Sequence, residues 1–191
     1  MARHNDKRIR LVKGADQLFH QQGINNTTLA DIAQSADVPL GNVYYYFKSK
    51  ESIILAVITD RLQTLQQLFN ELNNNIANPK DRLKALLENW LSNDNAITNF
   101  GDPLGGLCLE LSKQPGELHK AAANLMQTVI SWCNSQFNAL NLTKNSITST
   151  QLAMHFVASL QGISLLGVTF KEPNHLQEHS KFIEDWLNNL A

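Results

Sequence analysis

Cysteine is almost absent from this chain of 191 residues, which holds only Cys108 and Cys133. Two cysteines so far apart fit neither zinc-ligand spacing nor a Cys-x-x-Cys redox pair, so a disulfide framework and a structural zinc site are both excluded. Buried, inert thiols in a reducing compartment are the expectation. Proline and glycine are also few, at five and nine, and no Pro-rich linker, low-complexity tract or internal repeat divides the chain. Long apolar runs are missing as well. Nothing approaches the roughly 18 consecutive apolar residues of a membrane span, and no apolar signal segment opens the sequence, so a cytoplasmic location with no membrane partner is expected. Net charge is equally small, at −1, and no whole-molecule field draws the protein to nucleic acid or lipid.

Catalytic patterns are lacking too. The glycine-containing stretch 101–106 has no following Gly-Lys-Ser/Thr and is no phosphate-binding loop. His175-Leu-Gln-Glu-His179 matches a metallopeptidase signature. That chemistry needs a further distant ligand, and only twelve residues follow, so these are expected to be surface or interface histidines. His155, on an otherwise apolar helix, is expected to be a hydrogen-bonded core residue. With no nucleophile–base pair, metal set or cofactor loop, an enzyme is not expected, and no cofactor is called for.

What is present is helical periodicity. Ile54, Ile58, Leu62, Leu65, Phe69, Leu72 and Ile76 recur at threes and fours, which predicts one long helix over about 50–76. Similar stripes predict helices over about 117–139, 146–170 and 175–190. Asn78-Pro79, Pro115-Gly116 and Pro173-Asn174 punctuate helix starts, and 101–106 reads as a loop. The fold class is all-α, with about nine or ten helices.

The first fifty residues have a different texture. Arg3, Lys7, Arg8, Arg10 and Lys13 against Asp6 give residues 1–13 a net charge of +4, leaving −5 for the rest. A helix over about 6–22 stops at Gly23, and Thr28 with Asp31 forms a capping-box pattern opening a short helix. A turn at Ala36-Asp37-Val38 leads to a second short helix over about 40–46. Two short helices joined by a tight turn, with the small Ala33 at their crossing, form a helix-turn-helix, whose second helix reads the major groove. Pro39, Leu40 and Asn42 occupy its leading end, and Tyr44 and Tyr45 point hydroxyls toward phosphates or bases. Val43, Tyr46 and Phe47 turn inward. Ser49 caps the following long helix, where Lys50, beside Lys48, is a candidate phosphate ligand. Thr27 and Thr28 are candidates for a second phosphate.

The segment TTLADIAQSADVPLGNVYYYFKSKESI resembles the DNA-binding segment of the tetracycline-repressor (TetR) family over roughly residues 8–55. The shared pattern is Thr28, Ile32-Ala33, Val38, Gly41, Tyr44, Tyr46-Phe47 and Lys50-Glu51. Asp37 departs from it, standing where the family usually has glycine. The resemblance implies a DNA-binding head over 1–50 and an effector-binding, dimerisation body over 51–191. It further implies a homodimeric repressor that leaves a palindromic double-stranded operator when a small molecule binds. A ligand-independent or cysteine-redox-responsive regulator is the alternative. By the same analogy, candidate effector-pocket walls are Trp90, Phe100, Leu104, Cys108, Leu125, Met126 and Trp132, although packing is the commoner role for the tryptophans and methionine. The last two helices would pair across a dimer, with Gly162 and Gly167 allowing close approach. The 101–111 stretch resembles a subgroup whose loop carries a cysteine where this chain has Asp102.

Overall fold

A computed structural model describes residues 2–92, 94–113, 116–141 and 147–190, with side chains from residue 6 onward and excluding that of Pro173. Ten α-helices and no strand occur among these residues. They are α1 (Ala2–Gln22), α2 (Leu29–Ser35), α3 (Leu40–Tyr46), α4 (Lys50–Asn75), α5 (Pro79–Leu91), α6 (Asp94–Phe100), α7 (Pro103–Ser112), α8 (Glu117–Ala139), α9 (Ser149–Phe170) and α10 (Pro173–Asn188). The expected helix start at 146, the Pro115 signal and the side chain of Arg3 lie outside the described residues.

The chain separates into two compact units, one formed by Met1–Thr64 with Pro103–Leu125, the other by Leu65–Asp102 with Met126–Ala191. In the first, α1, α2 and α3 pack around Leu11, Ala15, Phe19, Ile32, Val43 and Phe47, all buried. A β-carbon on Gly14 would stand 3.2 Å from the Ser35 hydroxyl, so a bare backbone there lets α1 lie close to the end of α2. Arg61 of α4 donates to Asp16 of α1 at 2.6 Å and to the Pro103 carbonyl at the start of α7.

In the second unit, α9 packs against α6 and α10, and α10 also meets α5. Phe137 and Phe156 meet edge to face, and both are fully buried. Phe69 and Trp132 stack with centroids 4.6 Å apart. Gly167 is buried under Leu176, whose nearest carbon would lie 3.0 Å from an added β-carbon. It therefore serves packing within the protomer, while Gly162 faces open space.

Two expectations need correction. The stretch 101–106 is not a loop throughout, because Pro103 opens α7 and both Gly105 and Gly106 are helical. Proline suits a first helical position, where its missing N–H would have no partner. His155 is not a core residue; it is exposed, its ring meeting that of Trp186 edge-on with centroids 5.0 Å apart. By length and composition α9 also passes as a membrane span, with a mean hydropathy of 1.5 and 44% of the window buried. Its apolar character comes from having two apolar faces. Leu152, Phe156, Leu160 and Ile163 are buried, and Met154, Leu165, Leu166 and Phe170 are exposed.

Burial makes a direct stability forecast. Phe156→Ala should lower the unfolding free energy by about 3–5 kcal/mol through lost transfer energy and a residual cavity, as read from urea denaturation. A loss below about 1 kcal/mol would show that the α9 core packs differently.

Candidate DNA-binding surface

Val43 within α3 and Phe47 at its C-cap, where the backbone turns extended, are 0% and 3% exposed and together fix how α3 is turned. Leu40, Tyr44 and Tyr45 lie outside this contact and are 43%, 51% and 65% exposed. Pro39 is exposed at the N-cap and Asn42 is half-buried. Tyr46 is half-buried, its ring 5.1 Å from that of Tyr45 in an edge-on contact. The aromatic run is thus split by helix geometry into an inward part and an outward part.

The turn that sets α3 against α2 is built locally. Asp37 adopts a left-handed φ of 50°, so aspartate does take the conformation usually given to glycine. Arg10 of α1 reinforces it by donating to the carbonyls of Ala36 at 3.0 Å and Asp37 at 3.3 Å. Arg8 places its guanidinium 5.3 Å over the Phe47 ring. Much of the basic charge near the amino end is therefore engaged with the head itself.

At the start of α2, Thr28 and Asp31 make the expected capping box. The Thr28 hydroxyl accepts from the Asp31 N–H at 3.2 Å, and the Asp31 carboxylate accepts from the Thr28 N–H at 2.8 Å. The Thr28 hydroxyl also donates to Asp31 at 2.8 Å. The Thr28 backbone bond first, its hydroxyl next and the Lys50 charge last hold Asp31 below the usual carboxylate range, against a small opposing cost of desolvation.

The expected phosphate ligands are placed unevenly. Thr27 is a correction: it is 0% exposed, and its hydroxyl donates to the Gly23 carbonyl at 2.7 Å, so it shapes the corner after α1 and presents nothing to solvent. Lys48 is exposed and donates to the Tyr44 carbonyl at 3.1 Å. Lys50 is half-buried, and its ammonium donates to the Ile24 carbonyl. An ammonium has three N–H donors, so this contact leaves donors for a phosphate while fixing where the side chain reaches. Ser49 caps α4, accepting from the Ser52 N–H at 3.3 Å.

The expected effector-pocket residues do not gather in one unit. Leu104, Cys108 and Leu125 belong to the first, and Trp90, Phe100, Met126 and Trp132 to the second. Leu104, Leu125 and Trp132 are buried, Cys108 and Met126 half-buried, and Phe100 exposed. Trp90 donates its indole N–H to Ser164 at 3.3 Å. The Cys108 thiol donates to the Ala122 carbonyl at 3.2 Å. Cys133 is fully buried, and burial pushes its thiol up to about 12. The first unit contains a cavity of about 530 Å³ beside the start of α4, lined by Lys50, Glu51, Ile54, Glu110, Lys113 and Glu117 among others. None of the expected effector-pocket residues lines it. Glu110, which reaches from α7 to the corner after α1, carried no signal in the sequence. Among the described residues no cluster of His, Cys, Asp or Glu is suited to a metal ion, His175 and His179 included.

The Asp31 cap yields a pH forecast. A carboxyl held below its ordinary value stabilises the fold above that value and loses the effect as pH falls through its folded pKa. Wild type should therefore exceed Asp31→Asn in stability at neutral pH. The gap should narrow from about pH 4 downward, and urea titrations showing a pH-independent gap would contradict the role given to this carboxylate.

Residues 11–57 match the family model described as bacterial regulatory proteins, tetR family. An uncharacterized HTH-type transcriptional regulator in the lacX 3′ region of Lactococcus lactis subsp. lactis is 27% identical over 89% of this chain and 87% of its own length. The HTH-type transcriptional repressor NemR of Escherichia coli (strain K12) is 28% identical over 64% of this chain and 60% of its own length. A TetR transcriptional regulator from Chloroflexus aurantiacus J-10-FL superimposes with a TM-score of 0.86 at 18% identity, covering 100% of both chains, a likeness of fold. Residues 11–57 therefore match the tetR-family model across the helix-turn-helix, and the relatives this chain is similar to are HTH-type transcriptional regulators.

Proposed function

We propose that the protein is a homodimeric cytoplasmic repressor that binds a palindromic operator and leaves it when a small, largely apolar effector occupies its body. The observation that carries the DNA reading is the outward set Leu40, Tyr44 and Tyr45 on α3, kept exposed because Val43 and Phe47 are buried. Apolar and aromatic side chains displayed at the leading end of a second helix suit base edges in a major groove. In this reading Pro39, Leu40, Asn42 and Tyr45 meet bases, while Thr28, Tyr44, Lys48 and Lys50 meet sugar-phosphate. The head spans 1–50 and the body 51–191.

Dimerisation is supported by the exposed apolar face of α9, with Leu165 64%, Phe170 58% and Met154 52% exposed, and by Phe182 of α10 at 72%. Exposed apolar side chains in this number on neighbouring helices are uncommon in a monomer and suit an interface between copies. Two such heads would meet successive major grooves, about 34–36 Å apart. The effector would act by favouring a dimer whose heads no longer match that spacing, opposing DNA through one coupling free energy. Trp90, Phe100, Leu104, Cys108, Leu125, Met126 and Trp132 remain the side chains proposed to meet it.

Selection of bound genomic fragments by the purified protein tests the DNA reading. Enrichment of an inverted repeat is expected, and recovery of no fragment above background would refute it. On the selected site, Lys48→Ala should weaken matched and scrambled duplexes alike and lower the salt slope by about one. Tyr45→Ala should instead cost about 1–3 kcal/mol of discrimination between bases. Light scattering tests the assembly separately: wild type should have twice the protomer mass and Leu165→Arg the protomer mass, whereas a monomeric wild type would end the dimer proposal.

A further inference from the structure

The corner between α1 and α2 is held from outside the three-helix head. Gly23 leaves α1 with a left-handed φ of 84°, and the N–H of the next residue, Ile24, donates to the Glu110 carboxylate of α7 at 2.7 Å. The other Glu110 oxygen lies 2.8 Å from where a β-carbon on Gly23 would stand. Glycine suits this position for its backbone angle, and a β-carbon there would displace the carboxylate from its present place. From the opposite side, the Lys50 ammonium of α4 donates to the carbonyl of the same Ile24. The Ile24 carbonyl also accepts from the Thr27 N–H at 3.2 Å, and the Thr27 hydroxyl donates to Gly23 at 2.7 Å. Both backbone polar groups of Ile24 are therefore taken by charged side chains, and the residue itself is 6% exposed.

We infer that Glu110 is a positioning residue for DNA binding, fixing the α1–α2 corner and with it the orientation of α2 and α3. The inference rests on the DNA-binding reading above. A charged acceptor on a buried N–H is among the stronger hydrogen bonds a fold can make, and its loss leaves a buried donor without a partner. The corner is linked directly to α2, because Thr27 hydrogen-bonds within it and Thr28 caps the helix. Releasing Ile24 frees the corner to sample other geometries. A recognition helix so freed has to be re-ordered on each specific encounter, whereas generic phosphate attraction does not depend on its orientation.

The test uses the full chain and three variants. Glu110→Ala removes the acceptor, Glu110→Asp keeps the charge but falls one methylene short, and Glu110→Gln keeps an oxygen at the same reach. Amide exchange is followed at Ile24 and along α9, and affinity is measured for a selected operator and for a scrambled duplex of equal length. Exchange at Ile24 should quicken about tenfold or more in the Ala and Asp variants, with α9 unchanged. The ratio of operator to scrambled affinity should fall about tenfold in both, and Gln should restore most of each. Unaltered exchange at Ile24 in the Ala and Asp variants would overturn the inference, as would equal weakening on both duplexes. If wild type retards no duplex, the DNA reading fails, and the exchange measurements still decide whether Glu110 holds the corner.

Discussion

Burying Val43 within the seven-residue α3 and Phe47 at its C-cap is the constraint on which the functional surface depends. A helix has one rotation about its axis, and these two side chains set it. Tyr44 and Tyr45 cannot then join the core, and they stand with Leu40 on the outside at the cost of exposed aromatic area. The neighbouring contacts support the same orientation. Arg10 ties the turn before α3 to α1, Asp37 adopts the left-handed angle the turn needs, and Arg8 lies over the Phe47 ring. The head presents a fixed outward face that owes little to net charge, which is consistent with a protein whose overall charge is −1.

Local signals were legible in the sequence and distant ones were not. The end of α1 at Gly23, the Thr28–Asp31 box and the extent of α3 each depend on residues within a few positions of one another, and they fall where the pattern put them. The contact between Glu110 and Ile24 joins residues 86 apart, and that between Lys50 and Ile24 joins residues 26 apart. No periodicity encodes such pairs. Lys50 was legible as a charge beside a helix start but not as a side chain turned back onto a carbonyl. Thr27 looked like a surface hydroxyl only because its neighbour Thr28 is one. The short helix α6 carries too few turns for a stripe to emerge. Gly105 and Gly106 read by composition as loop residues, although they lie in the first turn of the helix that Pro103 opens.

The body illustrates a different limit. An apolar stripe on α9 marks one buried face, but the helix carries a second apolar face that stays exposed in the protomer. Hydropathy alone counts both, which is why α9 meets the length and composition of a membrane span. A partner copy is the proposed cover, since the exposed side chains continue onto α10 at Phe182. The expected pocket residues, placed by analogy, are aliphatic, aromatic and sulfur-containing side chains. Trp132, stacked on Phe69, shows how often such residues serve packing instead.

In the proposed complex the outward face of α3 enters the major groove twice, once from each protomer. Methylation interference on the selected operator tests it most directly, because guanine N7 lies in that groove. Interference is expected at two symmetric clusters about one helical turn, 10–10.5 base pairs, apart or a multiple of it. Interference confined to a single cluster, or protection of phosphates with no effect of guanine methylation, would contradict it.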